Sequence, residues 1–220
     1  MFQPAGAGWL PPVGSKSKNN MTRIWIGIAA ALVVGIAGIL VFEANQPYVM
    51  HGSVIEPAVA APGLTLVSSE GGSFRLEEQR GKILLVFFGY TYCPDVCPGT
   101  LAQLRQVMTK LGSQASSVQV VLATVDPKRD SPEQLKRFLS VFGSNYLGVT
   151  GSEEQLEPVW KAYGVYHAIR PVGENPNTYT VDHSTRIYLI DAQGRLRLTY
   201  PDASDIDGIT RDLQFLLKGG

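Results

Sequence analysis

The stretch Ile83-Leu84-Leu85-Val86-Phe87-Phe88-Gly89-Tyr90-Thr91-Tyr92-Cys93-Pro94-Asp95-Val96-Cys97-Pro98 decides the reading of this chain. Ile83 to Phe88 is a short run of branched and aromatic residues between Gly81 and Gly89, which predicts a buried central strand. Pro98 fits the first position of a following helix, where its missing N–H costs nothing and its φ is already helical. Leu101, Leu104, Val107, Met108 and Leu111 then recur at helical spacing. Both cysteines therefore fall in the strand-to-helix loop, where helix amides and dipole lower a thiol's pKa and favour thiolate. That is a place for metal or redox chemistry.

The flanking elements extend this picture. Upstream, Leu64–Val67 and Ser73–Leu76 flank Glu70-Gly71-Gly72 and predict a hairpin. Downstream, Val118–Val125 is a β-branched strand. Ser131-Pro132-Glu133-Gln134 joins an N-cap serine to a proline and a capping-box glutamine, opening a helix that carries Leu135, Phe138, Leu139 and Phe142 inward and stops at Gly143. Ser152-Glu153-Glu154-Gln155 repeats the signal for a helix bearing Leu156, Val159, Trp160 and Tyr163. Val165–Ile169 and Tyr179–Val181 predict two strands joined by a polar loop, Pro171–Thr178. Ile187–Ile190 and Leu196–Tyr200 predict a hairpin about Asp191-Ala192-Gln193-Gly194, and Ile206–Leu217 a last helix. The order implies an α/β layer arrangement. With cysteines after the first buried strand, it matches a thioredoxin-like fold with an N-terminal β-hairpin and an inserted β segment, Tyr166–Thr180.

Ahead of this domain the chain changes character. Residues Met1–Asn20 are rich in Gly, Pro, Ser and Asn and predict disorder, so 1–23 reads as a disordered cytoplasmic tail, with Met21 a candidate natural start. Residues 24–42, Ile24 to Phe42, hold no charge and no proline. As a helix this run spans roughly 28 Å, close to the ~30 Å hydrocarbon core of a bilayer. Lys16, Lys18 and Arg23 precede it and Glu43 follows, so the positive-inside rule keeps the N-terminus in the cytoplasm and the rest outside. A cleaved signal peptide is the weaker reading, because the run is long and the A-x-A-like Ala58-Val59-Ala60 lies far downstream. Residues 43–62, with Pro47, Pro57 and Pro62, read as a linker, and 63–220 as the folded domain. The absence of arginine in the first twenty residues argues against a mitochondrial presequence and favours a bacterial cytoplasmic membrane. Charge balances at 19 Lys+Arg against 19 Asp+Glu with no long basic run, which leaves nucleic-acid binding without electrostatic support.

The chain has only two cysteines, enough for one site or one bridge and not for a disulfide framework. Their spacing is not C-x-x-C. A bridge closing so short a loop would add little loop entropy and make a poor staple. A metal needs a third ligand, and three histidines are available. His183, in Val181-Asp182-His183-Ser184-Thr185, stands immediately before a strand, at the junction that faces the cysteine loop in thioredoxin-like folds and usually carries a cis-proline. His51 reads as a solvated linker residue and His167 as a surface or packing residue. Two thiolates and one imidazole form a soft site suited to trigonal Cu(I); Zn²⁺ would want a fourth ligand. Cu(II) is the alternative if water or a carboxylate such as Asp182 or Asp95 completes the set.

Three segments together closely resemble the SCO/SenC family of copper chaperones: Tyr92-Cys93-Pro94-Asp95-Val96-Cys97-Pro98, Val125-Asp126-Pro127-Lys128-Arg129-Asp130, and Val181-Asp182-His183. The resemblance covers essentially the whole soluble domain and the single N-terminal anchor. It implies one copper held by Cys93, Cys97 and His183, and delivery to the dinuclear copper A centre in subunit II of cytochrome c oxidase. It also implies a thiol reductase role toward the target's cysteines, with other copper chaperones or thiol reductants as further partners. Asp126 and Arg129 make a turn and cap the Pro132 helix; Asp126, with Asp95 and Asp182, is a candidate to hydrogen-bond around the metal ligands. The competing function is a metal-independent thiol–disulfide oxidoreductase using Cys93 and Cys97. A peroxidase is disfavoured because Tyr92 separates Thr91 from Cys93.

Overall fold

The computed structural model describes residues 17–173, 175 and 178–219. These fall into two compact units, residues 1–48 and 49–220. In the first, helix α1 (Ser17–Ala44) contains the stretch Met21–Glu43, long and apolar enough to cross a membrane. The helix begins at Ser17, so residues 17–23 are not the disordered segment expected of them. Nothing in Thr22 or Arg23 breaks a helix, and the apolar turns that follow propagate one already nucleated. The rest of the expected tail, residues 1–16, lies outside the described residues.

The second unit is built on an eight-stranded sheet. Its strands are β1 (Ser53–Ala60), β2 (Thr65–Ser68), β3 (Ser73–Arg75), β4 (Ile83–Gly89), β5 (Val118–Thr124), β6 (Tyr146–Thr150), β9 (Ile187–Ile190) and β10 (Arg195–Tyr200). Strands β7 (His167–Pro171) and β8 (Tyr179–His183) form a separate antiparallel pair. The helices are α2 (Val96–Leu111), α3 (Pro132–Leu139), α4 (Glu153–Ala162) and α5 (Ile206–Leu217). Spatial order in the large sheet is β1-β10-β9-β4-β5-β6-β2-β3. The central pairs β4–β5 and β5–β6 are parallel, while β9 runs antiparallel to both of its neighbours, β4 and β10.

All seven residues of β4 are buried. A strand covered by helices on both faces shows a continuous apolar run in place of alternation, which is why Ile83–Phe88 was readable. Phe87 and Gly89 share a face with Leu122 and Gly148 by register. There a Cβ on Gly148 would meet Leu135 of α3, and one on Gly89 would meet Cys97 of α2. Phe88 turns to the other face, where its ring meets Tyr188 and Tyr163, the residue after α4. Ser131 and Ser152 cap α3 and α4 through Gln134 and Gln155, the latter as a full capping box, as their sequence signals require.

The sequence reading of residues 43–62 as a linker needs correction. Glu43 and Ala44 end α1, and residues 53–60 are β1, paired with β10 through Val54–Leu198 and Val59–Leu196. Composition misled because an edge strand needs little apolar content and tolerates Pro57. His51 is likewise not a solvated linker residue. Its backbone N–H and that of Gly52 donate to the buried Asp212 of α5 at 2.9–3.0 Å, and its ring lies 3.6 Å from Asp205. The expected insertion between Tyr166 and Thr180 is the β7–β8 hairpin, and its strands end beyond the predicted Ile169 and Val181, at Pro171 and His183. Of the loop expected at Pro171–Thr178, residues 174, 176 and 177 lie outside the described residues.

Candidate metal centre

Strand β4 delivers Gly89 and Tyr90 to the carboxyl end of the sheet, and the chain turns there through Thr91–Asp95 into α2. The helix starts at Val96, so Cys97 sits in its first turn and Pro98 is third, not first, in the helix. The proline is still harmless, because the first four N–H groups of a helix have no partner inside it. One of these vacant donors, the N–H of Cys97, points at Cys93 Sγ at 3.4 Å. Cys93 is half-buried and Cys97 fully buried, and both are free thiols.

His183 closes the site from the far end of β8. Its Nε2 lies 3.4 Å from Cys97 Sγ, across 86 residues of sequence, and one donor atom from each of Cys93, Cys97 and His183 lies within 4.8 Å of the others. His183 Nδ1 is 2.9 Å from the carbonyl of Ser184. That oxygen can only accept, so Nδ1 carries the proton and the Nε2 lone pair is left facing the sulfurs. This is the tautomer a metal ligand needs, fixed by a hydrogen bond on the opposite nitrogen. The ring also stands edge-on to Phe87 and Tyr90, with centroids 6.1 and 5.7 Å away. The donor set and its arrangement fit a soft ion such as copper.

The two sulfurs are unlike. The Cys97 thiol first of all, and the backbone N–H groups of Cys97 and Asp95, hold the Cys93 pKa far below the thiol range against the opposing effect of burial. Sharing its proton with Cys93, and then burial, push Cys97 up. The two sulfurs share a proton, with Cys93 the side inclined to thiolate. Cys93 is accordingly expected to react with iodoacetamide at a rate that stays flat from about pH 8 to about pH 6, where an ordinary thiol of pKa ~8.5 loses most of its thiolate. Cys97 is expected to stay unmodified. A Cys93 rate falling tenfold per pH unit over that range, followed by mass spectrometry, would overturn the asymmetry.

The acidic candidates separate. Successive strand residues face opposite sides, so with His183 turned to the cysteines, Asp182 turns away and pairs with Arg170 at 2.7 Å on the surface. It neither ligates nor supports the site. The exposed Asp95 contributes its backbone N–H toward Cys93, and its side chain makes no cap bond. Asp126 is buried, accepts from Tyr179 Oη at 3.0 Å and pairs with Arg129, one step removed from the sulfurs. His167 packs on Trp160, ring centroids 4.1 Å apart, consistent with a packing role.

Sequence reasoning missed three residues. Asp130 is buried and accepts from the Thr91 N–H, the Thr91 hydroxyl and the Thr124 hydroxyl, so it fixes the loop just before Cys93. Tyr90 Oη accepts from the Val181 N–H at 3.1 Å, two residues before His183. Gly89 lies so close to the site that a Cβ would stand 2.9 Å from Cys97 Sγ. Only Gly89 left a usable signal, since an isolated glycine ending an apolar strand marks a close approach.

Comparison with known proteins agrees with this geometry. The SCO1/SenC family model matches residues 55–218. A SCO2-like protein of Rickettsia felis is 32% identical over 209 residues, covering 93% of this chain and 99% of the relative. The copper-bound structure of ScoI from Bradyrhizobium japonicum superposes with a TM-score of 0.66 at 31% identity, over 72% of this chain and 99% of that one. BsSco, described as a member of the Sco family of cytochrome c oxidase assembly proteins, shares the fold at a TM-score of 0.58 and 22% identity, over 78% of this chain and 99% of its own. Motif, fold and matched length converge, and the chain belongs to the SCO1/SenC family.

Proposed function

We propose that this protein is a membrane-anchored copper chaperone that holds one copper on Cys93 Sγ, Cys97 Sγ and His183 Nε2 and delivers it to the dinuclear copper A site in subunit II of cytochrome c oxidase. One observation carries the reading: two sulfurs and a correctly tautomerised imidazole converge within 4.8 Å from two separate elements. The copper in the Bradyrhizobium relative supports the metal, and the assembly family to which BsSco belongs supports the recipient. A two-sulfur, one-nitrogen set suits Cu(I) as the cargo. Cu(II) would take its further donor from water or the exposed Asp95, because Asp182 is committed to Arg170.

The chain's own residues account for loading and release. The Cys93 thiolate offers a ready ligand, and the second sulfur gives up its proton as metal arrives, so uptake releases protons and is favoured by rising pH. The half-exposed Cys93 and the neighbouring exposed Tyr92 and Val96 leave the cysteine loop open to an incoming acceptor. Helix α1 would hold the domain at a bacterial cytoplasmic membrane, on its outer side, with other copper chaperones or thiol reductants as donors. The test is copper content of the full chain in detergent, reduced and loaded with Cu(I) without oxygen, beside His183→Ala and Cys97→Ala. Stoichiometric copper in the parent and its loss in both variants is the expected result; stoichiometric, tight copper in His183→Ala would remove the ligand assignment.

The thiol asymmetry also favours a second activity, reduction of a partner disulfide by Cys93 with Cys97 resolving the mixed disulfide. A metal-independent oxidoreductase would keep this activity in His183→Ala and lose it in either cysteine variant.

A further inference from the structure

The hairpin that carries His183 is not part of the large sheet. A lone two-stranded hairpin is marginal in water, so the position of His183 must be set by contacts with the body of the domain. Strand β8 has β7 on one edge only. In an antiparallel pair the backbone groups of alternate residues turn toward the partner and away from it, so the groups of Tyr179 and Val181 that point outward need partners of another kind. Two side chains provide them. The Val181 N–H donates to Tyr90 Oη at 3.1 Å, and Arg129 Nη1 donates to the Tyr179 carbonyl at 3.0 Å.

Both side chains are held rigidly from the site side. Tyr90 is 1% exposed, stands directly after β4, and presents its ring edge-on to His183 at 86°. Arg129 is ion-paired to the buried Asp126, which also accepts from Tyr179 Oη. Its guanidinium lies over Tyr179 at 3.7 Å, with Tyr92 at 4.9 Å and Tyr90 at 5.7 Å. Its Nη2 is buried without a hydrogen-bond partner among the described residues. A buried donor left unpaired costs stability, and here it accompanies the placement of Nη1 on β8.

We infer that Tyr90 and Arg129 act as a surrogate strand along the free edge of β8, and that they are positioning residues which set His183 over the two cysteines. This rests on the three-ligand copper reading. The variant that isolates it is Tyr90→Phe, which keeps the ring and its packing and removes only the acceptor for Val181. In the metal-free full chain, amide exchange across 179–184 is expected to quicken while 83–89 stays protected. Cu(I) retention against a chromogenic chelator is expected to weaken about tenfold, the lower end for loss of a group that orients a metal ligand. Arg129→Lys, which keeps the charge and loses the planar fork, is expected to act in the same direction.

A double-mutant cycle assigns the route. If Tyr90 acts through His183, Tyr90→Phe leaves unchanged the weak residual Cu(I) affinity of the two sulfurs in His183→Ala, read by chelator competition at excess Cu(I). Unchanged exchange across 179–184, or a full additional tenfold loss in the His183→Ala background, would overturn the inference. The two readings fail separately: His183→Ala retaining tight copper sinks the ligand assignment, whereas copper lost in His183→Ala but unaffected by Tyr90→Phe sinks only the surrogate strand.

Discussion

Replacing Asp130 by alanine is expected to destabilise the domain by about 3–5 kcal/mol and to lower its melting temperature on the order of 10 °C. The carboxylate is fully buried, with Oδ1 2.6 Å from the Thr91 hydroxyl and 3.2 Å from the Thr91 N–H, and Oδ2 2.7 Å from the Thr124 hydroxyl. Alanine leaves those donors without their acceptor in a dry site, at the junction of the cysteine loop and β5. Burial raises the Asp130 pKa, and the Thr124 and Thr91 donors oppose that rise without cancelling it. The folded state therefore keeps the Asp130 proton to higher pH than the unfolded state. This residue's contribution to stability falls as pH rises from about 3.8 through the raised folded value, and is steady above it. Asp130→Asn, which retains one oxygen acceptor, is expected to cost less than alanine. Because Thr91 lies two residues before Cys93, the alanine variant should also quicken alkylation of Cys97. Calorimetry and thiol labelling check both effects; a melting temperature within 2 °C of the parent, with Cys97 still protected, would remove Asp130 from this role.

A chain that begins at Pro62 is expected to melt on the order of 10 °C below one that begins at Val49 and to self-associate. The shorter chain lacks β1, so β10 becomes an unpaired edge with free N–H and C=O groups, a template for pairing with a second copy. It also removes the backbone donors of His51 and Gly52 from Asp212, a buried carboxylate that additionally accepts from Tyr200 Oη at 2.9 Å. Hydrogen bonds to a charged group contribute about 1.5–3 kcal/mol each, so losing this pair outweighs the modest apolar area of an edge strand whose side chains are mostly exposed. Thermal unfolding and size-exclusion chromatography of the two chains decide it. Equal melting temperatures and a monomeric shorter chain would show β1 to be dispensable.

These cases mark where sequence reading ran short. β4 was legible because seven consecutive buried positions leave an uninterrupted apolar run, and α3 and α4 because serine caps and glutamines sit at fixed offsets. β1 was not, since its exposed, proline-containing pattern resembles a tether and its partner β10 lies far along the chain. Asp130 and Asp182 show the same limit for the site. Both are aspartates close to the site motifs, yet one is sealed beneath the cysteine loop and the other is paired to Arg170 on the surface.

By itself the sequence determined the cysteine pair, its place between a buried strand and a helix, the order of most elements and the family pattern. Those are properties of neighbouring residues: helical and strand periodicity, capping chemistry and a four-residue offset all act within one or two turns of chain. Only the tertiary structure decided which face of β8 meets the sulfurs, that the Ser184 carbonyl fixes the tautomer of His183, and that Tyr90, Arg129 and Asp130 hold the pieces in register. Those contacts join segments from separate parts of the chain, and strand pairing and packing choose between two opposite faces that local polarity alone leaves equivalent.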